Sequence, residues 1–222
     1  MKKTDIPVFR GITKEEFEEL EKMNIIREQN FLKGSVILHS GQIVNELGIV
    51  ITGSVIIENN DMLGNRSILS KVTKGQVFAE SYAFGRDPVM VDVVAVEDTK
   101  VIFFNTDIFR DNRYEHIPWN IKIMRNLLFI SAGKNMKLSG RIFCTSPKTI
   151  RGRLAIYFSQ QATKAKSREF DIQFNRQQMA DYLNLDRSAL SKELCRMRDE
   201  GIIQFRKNHF ILLKYGDEDD IS

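Results

Sequence analysis

Five side chains within NRQQMADYLNLDRSALSKELCRMRDEGII, residues 175–203, have types and a spacing suited to recognising a polyanion. Arg187, Ser188, Ser191, Lys192 and Cys195 fall on one face of a predicted helix, opposite Leu190, Leu194 and Met197 at i, i+4 and i+7. Guanidinium, hydroxyl and ammonium groups of that reach suit the base edges and phosphates of a DNA major groove. The plainer alternative is a helical hairpin with a solvated charged face.

The elements that must hold these residues are marked by their own punctuation. Asn175 caps a first helix, and Gln178 at its third position completes a capping box. Met179, Ala180 and Leu183 form the inner face, with Ala180 small enough for a second helix to cross closely. Asn184 suits a left-handed turn residue, Asp186 caps the second helix, and Gly201 terminates it with Ile202 closing the cap. Two β-runs in IIQFRKNHFILL then flank Lys207 and Asn208, a hairpin whose basic tip can reach a DNA backbone. Caps, small residue, turn residue and basic face agree on a helix-turn-helix with a wing.

Charge points to the same partner. The chain of 222 residues carries a net +4, yet residues 1–143 hold 19 Lys/Arg against 18 Asp/Glu. The remainder holds 14 against 11, and four of those acids form DEDD at 217–220; without that tail the balance is 14 minus 7, or +7. Positive charge concentrated in one third favours a polyanionic ligand. The amino terminus has no apolar run after its lysines, and no stretch approaches a membrane span, so a cytoplasmic protein is expected. Two cysteines, Cys144 and Cys195, suit a reducing compartment and offer no zinc or iron–sulfur pattern. His39, His116 and His209 are too scattered for a metal site.

Upstream, Thr13 and Glu16 form a capping box, with Ile12 and Phe17 as its hydrophobic staple. From about Phe31 to Phe104 short Val- and Ile-rich runs alternate with Gly34, Gly41, Gly53, Gly64 and Gly75, predicting a compact antiparallel barrel or sandwich. A long helix follows. Ile117, Ile121, Met124, Leu128, Ser131, Asn135, Leu138 and Ile142 step alternately by four and three, the seam of a coiled coil, with Asn135 able to set register. A helix lying against its own domain is the alternative. Ser146 with Pro147 predicts the start of the next helix and a domain boundary.

These motifs together resemble the CRP/FNR family of bacterial transcription regulators. FNRQQMADYLNLDRSALSKELCRMRDEGII carries the resemblance at the carboxy end, and FLKGSVILHSGQ, LGIVITGSVII, GQVFAESYAF and PVMVDVVAVEDTKVIFF carry it upstream. The resemblance implies an α+β chain: an N-terminal β-roll sensor of the cyclic-nucleotide-binding type over 1–116, a dimerisation helix over 117–143, a winged helix-turn-helix over 144–216, and an acidic tail at 217–222. It implies DNA contacts at Arg176, Gln177, Arg187, Ser188, Ser191, Lys192, Lys207 and Asn208. It places a dimer interface at Ile121, Met124, Leu128, Asn135 and Leu138, and RNA polymerase among the partners.

The departures matter as much. Ser188 stands where well-known subgroups carry glutamate, and Lys192 where arginine is common, so the family's usual half-sites do not transfer. In the sensor, Glu80 matches the family's ribose-binding glutamate, but Val89, Met90 and Val91 occupy the phosphate-binding Arg-Ser-Ala position. A cyclic phosphate there loses a charge-assisted contact worth roughly 1.5–3 kcal/mol. Cyclic AMP is therefore not expected. The iron–sulfur subgroup's cysteines are absent from the amino-terminal segment and no histidine is well placed for haem, so neither of those is expected, and no other cofactor is implied. Two expectations remain: an apolar effector pocket at Glu80, Val89, Met90 and Val91, opening to an unidentified small molecule, or an ordinary strand core at 89–91 with Glu80 stabilising the roll. Two other functions compete: a cupin-like metal enzyme, for which only His39 lies in the predicted strands, and a sensor acting through protein contacts.

Overall fold

The computed structural model describes residues 6–60 and 66–214. Gly64 and the acidic tail at 217–222 therefore lie outside the described residues. The chain divides into two compact units, residues 1–132 and 133–222.

In the first unit, α1 (Lys14–Lys22) begins at the Thr13–Glu16 capping box, whose two reciprocal hydrogen bonds are 2.8 and 3.2 Å. Eight strands follow: β1 (Ile26–Phe31), β2 (Val36–Leu38), β3 (Glu46–Thr52), β4 (Ser54–Asn60), β5 (Arg66–Thr73), β6 (Val77–Phe78), β7 (Asp92–Ala95) and β8 (Thr99–Asn105). They form two four-stranded sheets ordered β1-β8-β3-β6 and β2-β7-β4-β5, with every pairing antiparallel. The short helix α2 (Glu80–Gly85) sits between β6 and β7.

Both faces of β8 are buried, so its apolar residues run without interruption. Val101 and Phe103 join Val50, Val55 and Phe78 in one cluster. Ile102 and Phe104 join Phe17, Leu20 and Trp119 in the other. That is the period of two expected of a strand, with a different core on each side. Gly48 in β3 is required by contact: a Cβ there would overlap the ring of Phe78. Gly53 combines a φ of +78° with a Cβ position 2.6 Å from the Asp98 carbonyl oxygen, which makes the β3–β4 turn specific to glycine.

Helix α3 (Pro118–Thr145) presents two apolar faces. Trp119, Ile123 and Leu127 are buried in the core of the first unit. Ile117, read as the first residue of the seam, precedes α3 and is half-buried against the same core; the seam residues from Ile121 to Ile142 lie elsewhere on the helix and are exposed.

The second unit comprises α4 (Ile150–Ala165), β9 (Glu169–Asp171), α5 (Arg176–Leu183), α6 (Arg187–Asp199), β10 (Ile203–Arg206) and β11 (His209–Leu212). Its small sheet is ordered β10-β11-β9. Leu154 and Phe158 of α4, Met179 and Leu183 of α5, and Leu190 and Leu194 of α6 share one core with Phe170 and Phe210. One expectation is corrected here. Ser146 does not cap α4: α3 runs to Thr145, and the Ser146 hydroxyl donates back to the Ile142 carbonyl at 2.6 Å. Thr149 is the cap, accepting from Gly152 N at 3.0 Å, so Pro147 lies in the turn rather than at the first helical position.

Candidate nucleic-acid interface

Local capping fixes the two helices of the motif. Asn175 and Gln178 exchange hydrogen bonds of 2.9 Å each across the first turn of α5. Asn184 ends that helix in the left-handed region, φ 53° and ψ 56°, and Leu185 N returns to the Ala180 carbonyl. Asp186 accepts from the backbone of Ser188 and Ala189 at 2.8 and 2.9 Å, and these bonds, led by that from the Ser188 hydroxyl, hold its carboxyl below the usual range. Gly201, at φ +69°, closes α6: Gly201 N donates to Arg198 O and Ile202 N to Met197 O, both at 2.9 Å. That pair of bonds is a Schellman motif.

The outward face of α6 carries Arg187, Ser188, Lys192 and Cys195, all exposed, with Ser191 half-buried. The two hydroxyls are already engaged on their own helix. Ser188 Oγ donates to Asp186, and Ser191 Oγ donates to the Arg187 carbonyl at 2.9 Å. Arg187 and Lys192 thus supply the reaching positive charge. Carboxylates on the helix and at its end are drawn aside: Arg151 of α4 donates to Glu193 at 2.6 Å and to both oxygens of the C-cap Glu200 at 2.7 and 2.8 Å. These contacts hold Glu200 low and leave the outward face basic.

The wing is the β10–β11 hairpin, turning at Lys207 with φ 54°. Lys207 is exposed and Asn208 half-buried, its carbonyl accepting from Ile172 N at 2.8 Å. Arg206 stands exposed beside them. It was not among the residues read as DNA contacts, although its place next to Lys207 at the hairpin tip was the signal that could have found it. Gln177 is exposed, and its amide donates to Asp181 at 2.8 Å along the same helix. Arg176 departs most from expectation. Instead of projecting freely, it is half-buried, with its guanidinium 5.2 Å from the ring centroids of both Phe205 and Phe210.

The sensor residues do not line one wall. Glu80 is buried at the start of α2, behind Ala79 held at φ 60°. Val89 is buried, Met90 is 73% exposed and Val91 is intermediate. Val89 exchanges backbone hydrogen bonds with Gln42 and Gly41 at 2.8 and 2.7 Å, so it acts as a core residue of a paired loop.

Two family matches lie in order along the chain: the cyclic nucleotide-binding domain over residues 28–112 and the Crp-like helix-turn-helix domain over 152–216. The chain belongs to the CRP/FNR family of transcription regulators. Within that family it is 25% identical over 210 residues to the transcriptional activator protein FnrL of Cereibacter sphaeroides, covering 90% of this chain and 82% of the relative. It is 21% identical over 198 residues to the cyclic AMP receptor protein of Thermus thermophilus, covering 89% and 88%. Its fold is similar to the crystal structure of the Thermus thermophilus catabolite activator protein, with a TM-score of 0.55 at 19% identity over 93% of both chains. It is also similar to a cysteine-to-serine variant of CprK complexed with OCPA, with a TM-score of 0.57 at 16% identity over 90% and 91%. As a member of a regulator family with this motif, the chain is a DNA-binding regulator by kind. No helix among the described residues is long and apolar enough to cross a membrane.

Proposed function

We propose that this CRP/FNR regulator acts in the cytoplasm as a homodimer on a pseudo-palindromic operator, each copy laying α6 in a major groove. The observation that carries the reading is the uncovered seam of α3. Ile121, Met124, Leu128, Leu138 and Ile142 keep 48 to 66% of their surface exposed, and Asn135 is exposed among them. Burying each large apolar side chain contributes roughly 1.5–3 kcal/mol, which a second copy of the same seam supplies along the whole row. Phe129, Met136 and Phe143 repeat at seven-residue intervals beside it, 64 to 76% exposed, and widen the apolar face beyond the seam read from the sequence.

Two-fold pairing puts the half-sites about one helical turn apart. DNA contacts fall to Arg187, Ser188, Ser191 and Lys192 on α6, to Gln177, and to Lys207 and Asn208 on the wing. Effector control from the β-roll and contact with RNA polymerase complete the reading. The divided orientation of Val89 and Met90 favours a ligand other than a cyclic nucleotide, with Glu80 as its polar contact. Sedimentation velocity with labelled operator tests the core of this reading. A two-to-one protein–duplex complex that dissociates as salt rises is the expected result, and a monomer that ignores DNA would sink it.

A further inference from the structure

Four consecutive carbonyls at the end of α5 receive guanidinium donors from other helices. Arg141, in the last turns of α3, donates from Nη2 to the Asp181 carbonyl at 3.2 Å and from Nε to that of Tyr182 at 3.1 Å. Arg153 of α4 donates from Nη1 to the carbonyls of Leu183 and Asn184 at 3.0 and 2.8 Å, and from Nε to that of Pro147 at 2.8 Å. The last carbonyls of a helix lack intrahelical donors and carry the negative end of its dipole, so cations are favoured there. A single arginine would satisfy that charge. Two arginines, reaching successive carbonyls into the turn from different helices, also fix its direction.

The last turns of α3 are held on their other side as well. Cys144 is fully buried in the core of the second unit, and its thiol donates to Gln160 Oε1 at 3.3 Å. Gln160 Nε2 donates in turn to the Gly140 carbonyl at 3.3 Å. Residues 140–145 therefore have contacts on α4 and on α5, and little freedom to rotate against either.

We propose that Arg141 and Arg153 are positioning residues for DNA recognition: they bind the last turns of α3, α4 and the helix-turn-helix into one rigid body, so that α6 follows the orientation of α3. This inference rests on the reading of α6 as the recognition helix. Neither arginine needs to touch DNA, and each acts through the turn at Asn184. Operator binding then depends on preorganisation, because a loose turn must be ordered at the moment of binding.

The test uses the full chain with two spin labels, one on the exposed natural thiol of Cys195 and one on Lys137→Cys, an exposed site on α3 outside the apolar face. Operator binding is measured on the unlabelled chains, because Cys195 lies on the outward face of α6. An excess of unlabelled chain isolates distances within one copy. The parent is expected to give one narrow distance. Arg141→Gln should broaden it about twofold and weaken operator binding about tenfold, with the thermal midpoint moving less than about 8 °C. Arg141→Gln combined with Arg153→Gln should broaden it further, and Arg141→Lys should fall between. An unchanged width overturns the inference. So does broadening accompanied by loss of cooperative melting, which would make Arg141 a residue of the fold alone. If the width broadens while the parent fails to bind DNA, the rigid coupling stands and the operator reading falls.

Discussion

Arg176 donates from Nη2 to the carbonyl oxygen of Lys207 at 2.7 Å, joining the first residue of α5 to the tip of the wing. Its Nη1 is buried with no hydrogen-bond partner among the described residues, and burial pushes its pKa down. An arginine in this position is a brace between motif and wing. A charge-assisted hydrogen bond and two aromatic contacts outweigh the desolvation of one N–H, so Arg176→Ala should lower unfolding stability by about 1–3 kcal/mol. Urea titration reads this directly. An unchanged midpoint with weakened binding to every sequence would assign Arg176 to a phosphate instead.

Arg187 and Lys192 of α6 divide the work of recognition differently. Arg187 has the planar fork that suits bidentate contact with guanine, whereas Lys192 is a point charge. Arg187→Gln should weaken operator binding by about 1–3 kcal/mol and random-sequence binding much less. Lys192→Gln should weaken both and flatten the plot of log affinity against log salt by about 0.9 per lost phosphate contact. Fluorescence anisotropy on matched duplexes separates the two. Equal losses on operator and random DNA for Arg187→Gln would remove it from base reading.

Legibility followed the range of each interaction. The capping boxes at Thr13–Glu16 and Asn175–Gln178, the Asp186 cap and the left-handed Asn184 were readable because their partners lie within four residues. The strands of the first unit were readable as short Val- and Ile-rich runs punctuated by glycine. The end of α3 was not, since CTSPKT holds three hydroxyl residues, Thr145, Ser146 and Thr149, of a type that can cap a helix. The choice of Thr149 over Ser146 depends on Cys144 being carried into a core built from distant helices. The packing of Arg176 was not legible for a similar reason: the rings that hold it arrive with the hairpin, far along the chain. Val89, Met90 and Val91 looked like one wall because a string of apolar letters does not show which way a paired loop turns.

The seam predicts its own disruption. Leu128 is 66% exposed in the single chain, so a charge there costs a monomer little and costs a paired seam a buried, unpartnered carboxylate. Leu128→Glu should weaken self-association by about 3–5 kcal/mol per seam while leaving helical circular dichroism intact. Asn135→Leu should do the reverse, strengthening association and loosening the choice of register. Sedimentation velocity over a concentration series checks both. Undiminished association in Leu128→Glu would move the interface off this face.

His209 makes the wing sheet respond to pH. On the middle strand β11, its Nδ1 lies 3.1 Å from Asp171 Oδ1 and its Nε2 2.9 Å from Glu169 Oε1, both on β9. Arg206 of β10 is its register partner on the other side, and the carboxylates at hydrogen-bond range set the direction of the shift. The hydrogen bond to Asp171 first, and that to Glu169 after it, raise the imidazole above its ordinary 6.5. A raised folded-state pKa means stabilisation fully present below about 6.5 and lost as pH climbs through the higher folded value. The urea midpoint of the parent should therefore fall between about pH 6 and pH 8.5 by more than that of His209→Gln, which lacks the titrating group. Asp171→Asn should remove most of the difference, because it removes the leading contact. Parallel pH profiles for the parent and His209→Gln would show that the carboxylates do not hold the imidazolium.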